Sequence, residues 1–297
     1  MSVNRRSILR TTAQLATLTA AGGLLTGCGQ EAATGGGAAG SAPDHPPHPS
    51  AASSAGKVLT PNRIPAATPS AAAESDSPSP EAASASPDQA QLPPLAANTP
   101  DEVLNGPRDR PQVALTFHGQ GDPELATALL TAAEQHGAKV TVLVVGSWLD
   151  EQPQMARRIL DGGHELGNHT LNHLDICSLS ADQAYAEIAG CADRIEALTG
   201  SIGRWFRPSA AQFATARVKK QALKVGYEHC LSYDLDPRDY ADPGAEVIQR
   251  RMLGSIKPGS IVALHMGHQG TVDALPAVLE ALQQRGLSAV TASQLCS

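Results

Sequence analysis

His169 and His173 stand four residues apart in the run Gly163-His164-Glu165-Leu166-Gly167-Asn168-His169-Thr170-Leu171-Asn172-His173. On one helical turn, residues four apart share a face. Two neutral imidazoles placed that way can grip a divalent ion and leave other coordination positions open. An open position on such an ion generates hydroxide near neutral pH, so the pair points to a metal-assisted hydrolase. Zinc is the first expectation, and cobalt and nickel also accept imidazole.

Such a pair needs a scaffold, and residues 109–297 carry alternating strand and helix signals. Apolar or β-branched runs at 113–117, 139–145, just before 169, and at 205–208, 227–234, 261–265 and 288–290 read as strands. Helical periodicity runs through 123–136, 154–160, 181–198, 211–224, 245–256 and 272–285. Repeated βα units define the α/β class and predict a mainly parallel sheet, here a distorted (β/α) barrel, complete or incomplete. In barrels the chemistry sits where strands end. The polar residues obey that rule. His118 follows the first strand, His169 and His173 the third, and Arg207 ends the fourth. Asp234, Asp236 and Asp239 end the fifth, and His265 the sixth.

These residues resemble the motifs of the polysaccharide deacetylases, the NodB-homology family, across about 111–295. The run from Gly163 to His173 is the most specific match, and the resemblance implies that His169 and His173 bind the metal. Phe206-Arg207-Pro208 is similar to the family's Arg-Pro motif, which implies that Arg207 positions the catalytic acid. The run Asp234 to Tyr240 is similar to its Asp-rich motif, with Tyr240 where Trp is usual. That likeness implies that Asp236 or Asp239 orients the general acid. Leu264-His265 matches the motif whose histidine protonates the leaving amine. The family fold is a distorted (β/α) barrel, and its substrates are acetylated polysaccharides.

The first motif departs. The family has Thr-Phe-Asp-Asp-Gly, a base followed by the third metal ligand. This chain has Thr116-Phe117-His118-Gly119-Gln120-Gly121-Asp122. His118 stands in the place of the base and Gly119 in that of the ligand. One arrangement, the preferred one, has Asp122 swing inward as ligand with His118 as base. Another has His118 as ligand, with Asp122 or a water as base. The loss of both carboxylates also leaves open a silent glycan-binding homologue. An O-acetyl esterase is a third reading, since ester cleavage needs less protonation of its leaving group.

The flanking chain bears on location. Arg5-Arg6 and the modestly apolar residues 15–25 read as an export signal spanning 1–27, of the twin-arginine type. Leu25-Thr26-Gly27-Cys28 resembles a lipobox, which implies that Cys28 is diacylated and anchors the chain to the outer face of the cytoplasmic membrane. Residues 28–108 are Ala, Ser, Pro and Gly with scattered acids, and all nine aromatics of the chain lie between Phe117 and Tyr240. A segment without aromatics buries too little apolar surface to offset its ordering entropy. It reads as a tether with a span of roughly 50 Å, reaching into the wall. Removing the three arginines of the signal turns the formal charge from −7 to −10, which argues against nucleic acid as a partner. Nothing requires more than a monomer. Cys177, Cys191, Cys230 and Cys296 permit two disulfides or four free thiols.

Overall fold

A computed structural model describes residues 92–297. The predicted export signal, Cys28 and most of the tether lie outside the described residues. The strands are β1 (Glu102–Val103), β2 (Gln112–Gly119), β3 (Thr141–Val144), β4 (Glu165–Asn168), β5 (Trp205–Phe206), β6 (His229–Leu231), β7 (Ile261–His265) and β8 (Ser288–Ala289). Between them run α1 (Pro123–Gln135), α2 (Gly146–Glu151), α3 (Gln154–Asp161), α4 (Ala181–Thr199), α5 (Ala216–Val225), α6 (Ala245–Ser255) and α7 (Gln269–Gln284), and α8 (Ala292–Leu295) follows β8. Every strand pairing is parallel, in the order β1-β6-β5-β4-β3-β2-β7, with β8 beside the start of β2. Isolated bridges from Leu235 to Val262 and from Asn105 to Ser260 draw the two edges toward each other. The sheet is therefore a curled, incompletely closed (β/α) barrel, as the alternation of signals predicts.

Side chains alternate across β2, and the two faces meet different layers. Val113, Leu115 and Phe117 join Val142, Val144, Leu129, Leu130, Ile159, Leu275 and Val278 in the layer between sheet and helices. Ala114 packs inward with Leu143, Trp205, Leu231 and Ile261. The short α8 closes the floor of this interior through Ala292 and Leu295. It is fixed there by the buried Glu165, which accepts from Thr141 Oγ1 at 2.9 Å, from Ser293 N–H at 3.1 Å and from the Ser293 hydroxyl. Trp205 and Phe206 are fully buried core residues.

Several boundaries differ from the sequence reading. β1 lies ahead of residue 109, where sequence starts the domain. Cys230 and Ser232 N–H donate to the carbonyls of Asp101 and Val103, a two-residue strand too short to show in composition. The helix expected from 211 starts at Ala216, because Thr215 Oγ1 caps it by accepting from Val218 N–H. The strand expected over 227–234 shortens to His229–Leu231. The four described cysteines are free thiols. Burial pushes Cys191, Cys230 and Cys296 up to about 12, so they are inert packing groups.

His164 shows what its motif does away from the chemistry. Its Nδ1 accepts from Val140 N–H at 3.2 Å, and its Nε2–H faces Glu134 Oε1 at 3.3 Å. Glu134 is also paired with Arg158 at 2.5 Å. Burial lowers the His164 pKa to about 4. The unfolded chain therefore binds a proton that the folded chain refuses between about pH 6.5 and 4. Stability is complete above 6.5 and falls as pH drops through that window, by roughly 3 kcal/mol from this residue alone. Denaturant midpoints from pH 7 to 4 should trace this loss, and the loss should shrink in His164→Asn.

Candidate active site

Arg207 follows β5 directly and is fully buried. Its Nε donates to Leu231 O at 2.7 Å, and one terminal nitrogen to Thr116 Oγ1 at 2.9 Å and Ser232 O at 3.1 Å. The other terminal nitrogen reaches His118 Nε2 at 3.3 Å. No carboxylate pairs with this guanidinium among the described residues. Burial lowers its pKa to about 9, which leaves it cationic at neutral pH.

A guanidinium only donates, so His118 Nε2 must accept and the proton sits on Nδ1. That Nδ1–H donates to His265 Nε2 at 2.8 Å. His265 then carries its own proton on Nδ1 and donates it to Asp239 Oδ1 at 2.8 Å. Asp239 is fully buried and also accepts from His265 N–H at 2.8 Å, Thr271 Oγ1 at 2.7 Å and Tyr240 N–H at 3.1 Å. The result is one continuous chain, Arg207 to His118 to His265 to Asp239. It occupies both ring nitrogens of both histidines. Burial holds the His118 pKa well below its ordinary value, and the neighbouring His169, His265 and Arg207 lower it further.

The ring of His118 stacks on that of His169, with centroids 4.1 Å apart and planes at 16°. His169 donates Nδ1–H to the carbonyl of Arg207 at 3.0 Å. Its Nε2 therefore presents a lone pair, and this buried atom has no hydrogen-bond partner among the described residues. The His173 ring lies 4.9 Å from that of His169. A ligating histidine is held in just this manner, one nitrogen fixed by a carbonyl and the other bare. In that respect the donor set fits a divalent ion. It fits with two nitrogens only. Among the described residues no group of three or more His, Cys, Asp or Glu is arranged to hold a metal.

The segment carrying the pair is not the helical turn that the spacing predicts. It is a loop leaving β4, with Thr170 at φ 71° and His173 at φ 56°. The Asn168 side chain accepts from Thr170 N–H at 2.9 Å, a local bond that competes with helix. Burial of the other face of this loop falls to Glu187 of α4, which accepts from Asn172 N–H at 2.8 Å and Asn172 Nδ2 at 2.7 Å.

The remaining predicted residues lie elsewhere. Asp122 is exposed at the N-cap of α1, where its Oδ1 accepts from Glu124 N–H at 2.7 Å. Its carboxylate is engaged there and not with the histidine pair. Of the two aspartates expected to orient His265, Asp239 does so, while Asp236 closes its own turn by accepting from Arg238 N–H at 2.7 Å. Gly119 continues the alternation of β2 and faces the helix layer. A Cβ there would stand 2.7 Å from Val142 Cγ1 and 2.9 Å from Val144 Cγ1. The missing ligand position is thus occupied by packed valines. Beyond it, the backbones of Gly121 and Gly267 touch, since a Cβ on Gly121 would come within 2.6 Å of Gly267 Cα. This contact joins the two loops that follow β2 and β7, the strands that carry His118 and His265. Sequence reasoning missed Thr116, Asn168, Thr271 and Glu187. Only Glu187 left a signal, a carboxylate on the same helical stripe as Ala184, Ile188 and Cys191.

A curled parallel barrel with an imidazole pair and a carboxylate-backed histidine at its strand ends is the framework of a barrel hydrolase. The particular family follows from comparison. A polysaccharide deacetylase family model matches residues 105–230. The chain is 33% identical over 199 residues to a peptidoglycan-N-acetylglucosamine deacetylase of Bacillus cereus, covering 64% of this chain and 90% of the relative. It is 31% identical to a chitooligosaccharide deacetylase of a Bradyrhizobium species, covering 59% and 85%. Among solved structures, a carbohydrate esterase family 4 pseudoenzyme from Bacillus anthracis is 27% identical with a TM-score of 0.63, covering 67% of this chain and 70% of that one. A mutant described as having restored enzymatic activity matches with the same score. The chain belongs to the polysaccharide deacetylase family, hydrolases acting on carbon–nitrogen bonds.

Proposed function

We propose that this chain removes acetyl groups from an N-acetylated glycan of the cell envelope, using a divalent metal, zinc first, held by His169 and His173. The observation that carries the reading is the buried, partnerless Nε2 of His169. When bound there, such an ion supplies a Lewis acid for an acetyl carbonyl and acidifies water. The protein's own groups then have defined tasks. Arg207 and Thr116 fix the floor beside His118. Asp239 holds Nδ1–H of His265, so that Nε2 is the nitrogen available for proton transfer. Water adds to the acetyl carbon and gives one proton to the bare Nε2 of His265. The C–N bond then breaks, the nitrogen keeps the electron pair and takes that proton from Nε2, and acetate leaves. For this, His265 Nε2 must turn from His118 to the substrate. Export and a lipid anchor on Cys28 would place the domain within reach of wall glycan as a monomer.

His265→Ala tests the assignment. Turnover of acetylated chitooligosaccharide, followed as acetate released, should fall about 10²- to 10⁴-fold with little change in KM. Unchanged turnover would remove His265 from the chemistry. Full retention of O-acetyl ester cleavage alone would favour an esterase.

One observation favours a second reading, a silent glycan-binding homologue. Both nitrogens of His118 are committed and residue 119 faces valine, so the base and the third ligand have no evident successors. A chain that binds chitooligosaccharide yet releases no acetate with zinc or cobalt supplied would establish it.

A further inference from the structure

Thr170 and His173 both sit in the left-handed region, at φ 71° and 56°. For a β-branched threonine that backbone is an outlier, held only where surrounding bonds over-determine it. The bonds are present. Gly146 N–H and Ser147 N–H donate to the carbonyls of Thr170 and Leu171 at 2.9 and 2.8 Å. Thr170 Oγ1 accepts from His173 N–H at 3.2 Å. Among the described residues, the position next to His173 is held by Glu187. Glu187 is 6% exposed, and its two carboxylate oxygens take the backbone and side-chain N–H of Asn172 separately. Among the described residues no cation pairs with it. A carboxylate brought into the protein for two N–H bonds on one residue has its role in that residue's position.

We propose that Glu187 is a positioning residue for the metal pair: it clamps Asn172 so that His173 is held facing His169. This rests on the reading that the pair binds metal. Both partners on Asn172 are donors, so only an anionic carboxylate satisfies both. A glutamine at 187 accepts one bond and turns its own donors on the other. Supporting groups of this kind contribute 10- to 100-fold to metal affinity.

The experiment is Co²⁺ titration of the full chain by visible absorption and calorimetry, in wild type, Glu187→Gln, Asn172→Ala, His173→Ala and Glu187→Gln/His173→Ala. Wild type should bind one Co²⁺. Glu187→Gln should bind it about 10- to 100-fold more weakly, with an altered d–d spectrum. Asn172→Ala keeps the backbone bond and should lose less. Glu187→Gln should add no further loss once His173 is gone, a non-additivity that general loosening of the fold would not produce. Equal affinity in wild type and Glu187→Gln overturns the clamp and leaves the metal reading standing. Additive losses in the double variant also overturn it. No uptake by wild type overturns the metal reading and the clamp with it.

Discussion

Aspartate in place of His118 is expected to raise acetate release about 100-fold over the wild-type chain. The wild-type geometry withholds two things that the substitution supplies. His118 has no free nitrogen to take a proton from water, because Nε2 accepts from Arg207 and Nδ1–H donates to His265. The same bond occupies the Nε2 that His265 needs for the leaving amine. An aspartate is shorter, is held by the guanidinium of Arg207, and leaves His265 Nε2 free. A positioned base is worth about 10²- to 10⁴-fold. Arg207 also gains an anion where it has none, and a buried unpaired charge is a costly group. The melting temperature should therefore rise by about 2–4 °C, corresponding to roughly 1 kcal/mol in a domain of this size. Steady-state kinetics on acetylated chitooligosaccharide and a thermal scan read both effects. If turnover stays at the wild-type level while the melting temperature rises, His118 is not what limits the reaction. Position 119 offers no equivalent route, since its side chain would enter the valine layer of the sheet.

The sequence made the barrel and the arrangement of strand-end residues legible because both follow from local pattern. Strand and helix periods differ, and a parallel sheet brings every carboxyl end to one side. Thus Arg207, His118, His169, His173 and His265 are placed at strand ends by pattern, are given roles by the family resemblance, and meet in one cluster. What sequence left out depends on bonds between distant elements. The loop of His169 and His173 reads as a helical turn by spacing, and Asn168 and Glu187 make it something else. Asp122 looks free to move because glycines precede it, but Pro123 at the helix start makes it a cap. Asp236 and Asp239 are indistinguishable in sequence. Only the return of β7 beside the short 3-10 turn Asp239–Ala241 decides which one faces His265. The linkage between His118 and His265 is 147 residues long in sequence and needs the β2–β7 register that sets them side by side.

Removal of the His169 side chain should abolish the metal binding proposed for the histidine pair. Among the described residues two imidazoles make up the proposed donor set, so each would carry a larger share of affinity than in a site with three or four protein ligands. His169→Ala leaves His173 alone on a loop, and a loss of at least about 100-fold in Zn²⁺ or Co²⁺ affinity is expected, equivalent to roughly 2.7 kcal/mol. The ring is buried and stacked on His118, so the variant also opens a void, and circular dichroism must first show that it folds. His268→Ala is the matched control. That histidine is paired with Asp242 at 2.8 Å, outside the pair, and its loss should leave metal content unchanged. Metal retained in His169→Ala would place the ion elsewhere and end the assignment. Metal lost in His169→Ala but kept in His268→Ala would confine it to the pair. A site so sparsely held would also lose its ion readily to chelators. Dialysis against EDTA should then strip the wild type within one exchange, and added zinc should restore it.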